Sequence, residues 1–132
     1  MNILLWILQV LLGAMFFLSG FGKATQSWET LQVAIPWIDG VSEGLLRFIG
    51  WSEVLGGIGM ILPAAIKVKP MLSAISAAAL TLVMVLATGF HAMRTEYDLM
   101  FLTLVLALLS GFVAYGRCVL KPINSTTPVA GM

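Results

Sequence analysis

Residues 2–23 read NILLWILQVLLGAMFFLSGFGK. From Asn2 to Gly22 only Gln9 and Ser19 break an apolar run, and Lys23 stops it. A helix needs about 20 mainly apolar residues to cross the hydrocarbon of a bilayer, so this run suffices for one crossing. No Lys or Arg precedes it, and it is longer than the apolar core of a signal peptide, so it reads as a retained span. Three more runs follow: about Leu45 to Leu62, ended by Pro63, then Met71 to Phe90, then Leu99 to Tyr115.

Composition agrees. Of 132 residues, 60% are apolar and 10% charged, against roughly 45–50% and about 25% in soluble domains. Mean hydropathy is +1.02. So little charge cannot coat a water-facing globule. The expected fold is all-α: an integral membrane four-helix bundle with short loops, spanning residues 1–116. Residues 117–132, which contain Pro122, Ser125, Thr126, Thr127 and Pro128, are expected to form a flexible cytoplasmic tail.

Between the first two runs, Ala24 to Gly44 turns polar. Within it Trp28, Leu31 and Ile35 recur at helical spacing, with Ser27 as cap, Glu29 in the first turn and Pro36 as stop. This predicts a short interfacial helix, with Trp28 and Trp37 at headgroup level; a polar loop with two dipping tryptophans fits equally well. The Lys67-Val68-Lys69-Pro70 link is so short that the runs it joins must be antiparallel neighbours. Orientation follows Lys and Arg in short loops. Lys67, Lys69, Arg117 and Lys121 fall on the side of the N-terminus, against Lys23, Arg47 and Arg94 on the other. Both termini are therefore assigned to the cytoplasm.

Several chemistries are excluded. A net charge of +1 gives no basic footprint for nucleic acid. The single Cys118 forms no intrachain disulfide and no Cys-x-x-Cys pair. His91, the only histidine, cannot supply two axial imidazoles to a haem, and no metal-ligand cluster is present in the sequence.

Helix contacts in membranes favour small residues because these let backbones approach. Gln9, Gly13, Phe16, Gly20 and Lys23 share one face of the first run, and Gly50, Glu53 and Gly57 one face of the second. The third offers Ala77, Thr81, Met84, Thr88 and His91, and the fourth Thr103, Ala107, Ser110, Ala114 and Arg117. Gly13, Gly20, Gly50, Gly57, Ala77, Ala107 and Ser110 are accordingly expected to pack the bundle.

Glu53 lies inside the second run, where a carboxylate costs on the order of 2.5–3.5 kcal/mol near the membrane centre. It is expected some six to eight residues below the outer end, roughly 10 Å deep at 1.5 Å per residue, in the same half as Lys23, His91 and Thr88. Arg47 turns away from the Glu53 face and is expected to snorkel to the interface. The expected partner of Glu53 is Lys23, with His91 and Thr88 beside them. Two roles stand open: an ion pair that locks helices together, placed first, and a polar pocket that handles a proton or binds a headgroup.

The string Leu18-Ser19-Gly20-Phe21-Gly22-Lys23 resembles the end of the first helix in the DoxX-like family, and Ile49-Gly50-Trp51-Ser52-Glu53-Val54-Leu55-Gly56-Gly57-Ile58-Gly59-Met60-Ile61-Leu62-Pro63 resembles its second. Ala87-Thr88-Gly89-Phe90-His91 closing the third run is also similar, so the resemblance covers roughly Leu11 to Gly116. It implies four membrane helices in a bacterial inner membrane, and Lys23 and Glu53 as the matching characteristic positions. Three functions follow as expectations. The first is a non-catalytic subunit or assembly partner, bound to another membrane protein or to a second copy and holding no cofactor. The second is a component of a quinone-linked membrane oxidoreductase, with a pocket around Glu53 for the quinone. The third is a small transporter, for which Glu53 is too shallow and paired helix breaks are lacking.

Overall fold

A computed structural model describes residues 1–124. Helix α1 runs over Asn2–Thr25, α2 over Trp28–Ala34, α3 over Glu43–Ile66, α4 over Met71–Met93 and α5 over Tyr97–Tyr115. A 3-10 turn, Ile38–Gly40, lies between α2 and α3, and α5 continues into a π turn, Gly116–Leu120. The four long helices are each long and apolar enough to cross a membrane, and they form an all-α bundle. The end carrying α2 and the α4–α5 loop is called the lid end below; both described chain ends and the α3–α4 link lie at the opposite end.

Local chemistry sets the boundaries. Ser27 caps α2 by accepting from the Thr30 amide at 3.2 Å, and Ser42 does the same for α3 with the Leu45 amide at 3.2 Å. Glu29 and Glu43 stand in the positive first turns. Ile35 leaves the helical region, as a residue before proline is pushed to do. In the α3–α4 link Lys67 and Lys69 adopt left-handed φ values of 57° and 47°, which reverses the chain within a few residues. The short helix forms as the spacing predicts, burying Leu31 with Ile38 and Leu46 against the partly buried Trp28, Ile35 and Trp37.

Two boundaries depart from expectation. Pro63 lies inside α3, which continues to Ile66. The proline deprives the Gly59 carbonyl of its helical donor, and Gly59 lies directly against Ser76 of α4; membrane helices tolerate such breaks where a neighbouring helix covers the freed group. The second departure concerns Arg117. It belongs to the helical π turn and is 2% exposed, whereas residues 117–132 were expected to form a mobile tail. Of that tail, 125–132 lie outside the described residues.

The small-residue faces turn inward. Gln9, Gly13, Phe16, Gly20, Gly50, Glu53, Gly57, Ala77, Ala107 and Ser110 are all buried. α1 and α3 run antiparallel with backbones in contact: a Cβ on Gly57 would stand 2.6 Å from the Gly13 carbonyl, and one on Gly50 2.8 Å from the Gly20 carbonyl. Leu80 of α4 fills the space left by Gly56. Thr88 donates to Thr103 at 2.9 Å and so ties α4 to α5. Leu12, Phe16, Met60, Ala77, Leu80, Met84, Ala107 and Val113 form the central apolar cluster.

At the end opposite the lid a polar knot joins α1, α3 and α5. The Gln9 amide donates to the Met60 carbonyl at 2.6 Å and accepts from Arg117 Nε at 2.7 Å. Arg117 Nη1 also donates to Asn2 Oδ1 at 2.6 Å and the Lys121 carbonyl at 2.9 Å, and the guanidinium lies 5.2 Å from the Trp6 ring. Gln9→Leu removes both of its bonds and leaves a buried charge short of an acceptor. A loss of about 2–3 kcal/mol is expected, measurable as a lower denaturation midpoint in detergent. A midpoint equal to that of the parent would show the knot to be dispensable.

Candidate functional site

Helices α1 and α3 form one close pair and α4 and α5 another. At the lid end, space remains between the pairs: a cavity of about 510 Å³ lined by residues from all four long helices and from the lid. Its body is apolar, with Met15, Leu45, Phe48, Val83, Leu102 and Leu106 among the walls. Phe48 is 69% exposed and Leu102 52%, so both also form part of the outer surface of the bundle.

Its charged end is a product of the glycine seam. Gly20 and Gly50 bring α1 and α3 together, and the residues three further along each helix are Lys23 and Glu53. One turn from the contact, these face each other. Lys23 Nζ lies 3.0 Å and 3.2 Å from the two Glu53 oxygens, with side-chain exposures of 16% and 2%. The carboxylate is therefore fully enclosed and its cation slightly open. Arg47 bonds at the end of α1 rather than to Glu53, which it was expected to turn away from. Its Nη1 donates to the carbonyls of Lys23 at 2.9 Å and Gln26 at 2.6 Å, capping the end of α1 that carries Lys23.

Aromatic rings close the cavity at the lid. Trp37 meets Phe90 and His91 edge to face, with centroids 5.9 Å and 5.5 Å away, and Lys23 Nζ lies 5.8 Å from the Trp37 ring. His91 is 3% exposed, and its Nδ1 lies 3.0 Å from Glu96 Oε1. Arg94 Nε donates to the same oxygen at 3.0 Å, and Arg94 Nη2 donates to Asp39 of the lid at 2.8 Å. The Glu96 carboxyl is held below the usual carboxylate range, first by the His91 hydrogen bond and then by Arg94. A Cβ at position 40 would stand 2.7 Å from Arg94 Nη1 and 2.8 Å from Phe90 Cζ, so Gly40 packs closely under these two side chains.

Lys23, Glu53 and His91 thus line one cavity. Thr88, placed with them from sequence, is not a lining residue; its bond to Thr103 takes it to the α4–α5 contact, and Thr103 lines the cavity instead. Glu53 lies ten residues along α3 from its first residue, Glu43, about 15 Å at 1.5 Å per residue, because the helix starts before the apolar run. Sequence reasoning missed Glu96 and the roofing role of Trp37. No spacing rule reaches Glu96, which meets His91 only because the chain turns at Thr95, with φ 57°. Among the described residues no three His, Cys, Asp or Glu groups converge as metal ligands, and Cys118 is exposed.

The model of the DoxX-like family matches residues 7–113 of this chain. Neither the curated proteins nor the solved structures gave a match.

Proposed function

We propose, from the premise that the chain belongs to the DoxX-like family, that this integral membrane protein is a non-catalytic subunit of a quinone-linked membrane complex and contributes the binding cavity at its lid end. What carries the reading is one juxtaposition: the Lys23–Glu53 pair stands at one end of a mainly apolar cavity of about 510 Å³. A chamber with apolar walls and a few convergent polar groups suits an amphipathic molecule. Lys23, already neutralised by Glu53, offers its remaining N–H to a carbonyl, and the apolar walls suit an isoprenoid tail. A quinone has both parts.

The small-residue faces that argued for gripping another protein are consumed inside the bundle, so the partner surface must lie elsewhere and the cavity becomes the distinctive feature. A transporter site at this depth is built from discontinuous helices, whereas α1, α3, α4 and α5 carry the cavity on unbroken helices. We place the protein in a bacterial inner membrane with both termini cytoplasmic and the lid outward. The support is Lys67, Lys69, Arg117 and Lys121 at one end against Lys23, Arg47 and Arg94 at the other, of which Lys23, Arg47 and Arg94 are engaged in internal bonds.

A short-chain ubiquinone is expected to raise the thermal midpoint of the detergent-solubilised protein. In the Lys23→Met/Glu53→Gln double variant, which leaves no unpaired charge, the shift should vanish. A shift retained in that variant, or absent from the parent, would overturn the cavity reading.

A further inference from the structure

All six acidic residues, Glu29, Asp39, Glu43, Glu53, Glu96 and Asp98, lie at the lid end or on the cavity wall. The opposite end, that of the α3–α4 link, holds Lys67, Lys69, Arg117 and Lys121 and no Asp or Glu. The three lysines are exposed, whereas Arg117 is buried. At the lid end cations are matched by carboxylates: Lys23 by Glu53, and Arg94 by Asp39 and Glu96. Arg117 has no such match. Every acceptor it reaches is neutral, namely Gln9 Oε1, Asn2 Oδ1 and the Lys121 carbonyl, and its Nη2 has no hydrogen-bond partner among the described residues. A water can satisfy that N–H but not the charge. A guanidinium keeps its proton, so burial leaves a permanent cation in need of an anion.

The depth of Arg117 indicates where that anion comes from. Twenty residues separate Tyr97 from Arg117 along α5 and its extension, roughly 30 Å at 1.5 Å per residue, which is about the thickness of the hydrocarbon. Arg117 therefore stands at the level of lipid headgroups. Asn2 and Lys121, which flank its Nη1, are exposed, so the guanidinium lies one residue beneath the surface. The π turn packs against α4, which begins directly after Lys69-Pro70, and this brings Lys69 and Lys121 to the same end of the bundle. We propose that this end is a headgroup site for an anionic phospholipid of the adjoining leaflet, its phosphate neutralised by Lys69 and Lys121 at the surface and by Arg117 as a fixed charge beneath. A zwitterionic headgroup brings its own cation and compensates less. Val119 and Leu120 are exposed beside the site, apolar surface that suits acyl chains and not a soluble ion. The site is remote from the cavity and independent of the quinone reading.

Cys118, the only cysteine, is exposed in the π turn beside Arg117 and accepts a fluorophore there. The labelled full chain is placed in phosphatidylcholine nanodiscs with a small fraction of phosphatidylglycerol or of phosphatidylcholine, each carrying a nitroxide quencher near the headgroup end of one acyl chain. Phosphatidylglycerol is expected to gather at the dye with a relative affinity of about tenfold or more over phosphatidylcholine, since each basic residue at a membrane surface contributes roughly fivefold. Lys69→Gln/Lys121→Gln, both at exposed positions, should cut that preference by at least about threefold, and so should Arg117→Gln, whose amide can still bond to Gln9. The preference left in the lysine variant should hold at raised salt, because a buried charge is screened less. Equal quenching by the two lipids in the parent overturns the proposal, as does a preference unchanged in both variants. If Arg117→Gln fails to fold, the salt series decides, and a remainder abolished by salt overturns the part given to Arg117. Loss of the preference on adding inorganic phosphate at constant ionic strength assigns the site to the free ion and overturns the lipid.

Discussion

Lys23→Met is expected to destabilise the bundle by about 3 kcal/mol, because it strands a buried carboxylate without its cation. Glu53 is 2% exposed along its side chain, and both of its oxygens bond to the same ammonium. Arg47, engaged with backbone carbonyls, is not free to replace Lys23. Adding Glu53→Gln should recover most of the stability, as breaking a buried pair costs more than replacing it. Unfolding of the two single variants and the double variant in mixed micelles forms the cycle that checks this. A double variant as unstable as Lys23→Met, or a single variant as stable as the parent, would contradict it.

Gly20→Val is expected to lose about 3 kcal/mol or more, by forcing α1 away from α3. A Cβ at position 20 would meet the Gly50 carbonyl and stand 2.7 Å from Glu53 Cβ and 2.8 Å from the Val54 amide nitrogen. Two of those atoms are helix backbone and cannot rotate aside, so the helices must separate and the Lys23–Glu53 distance must grow with them. Gly89 is the control: nothing lies within 4 Å of a Cβ built there. Gly89→Ala should cost nothing, since alanine favours the helix over glycine by roughly 1 kcal/mol. Equal stability of Gly20→Ala and Gly89→Ala would show that the seam has slack.

The sequence made the four crossings legible because hydrocarbon imposes a length and an apolarity that no other environment demands. The inward faces were legible for a related reason: small and polar residues at three- and four-residue spacing have no other place to go. The Lys23–Glu53 pair followed from burial cost and helix phase. What was not legible lay where the chain leaves the helical period. Glu96 reaches His91 through a left-handed turn, Trp37 reaches the cavity roof through a 3-10 turn, and Arg47 finds carbonyls that only the bend after α1 exposes. Pro63 misled for the opposite reason, since a rule drawn from water-exposed helices ends a helix that a neighbouring span allows to continue.

The knot around Gln9 bears on the order of biosynthesis. Helix α1 is made before its partners and enters the bilayer with the Gln9 amide unsatisfied. Its acceptor, the Met60 carbonyl, arrives with the second crossing, and its donor, Arg117, only after the fourth. Until then the first crossing lacks its tie to the fourth, and the turn that follows α5 is the latch that joins them.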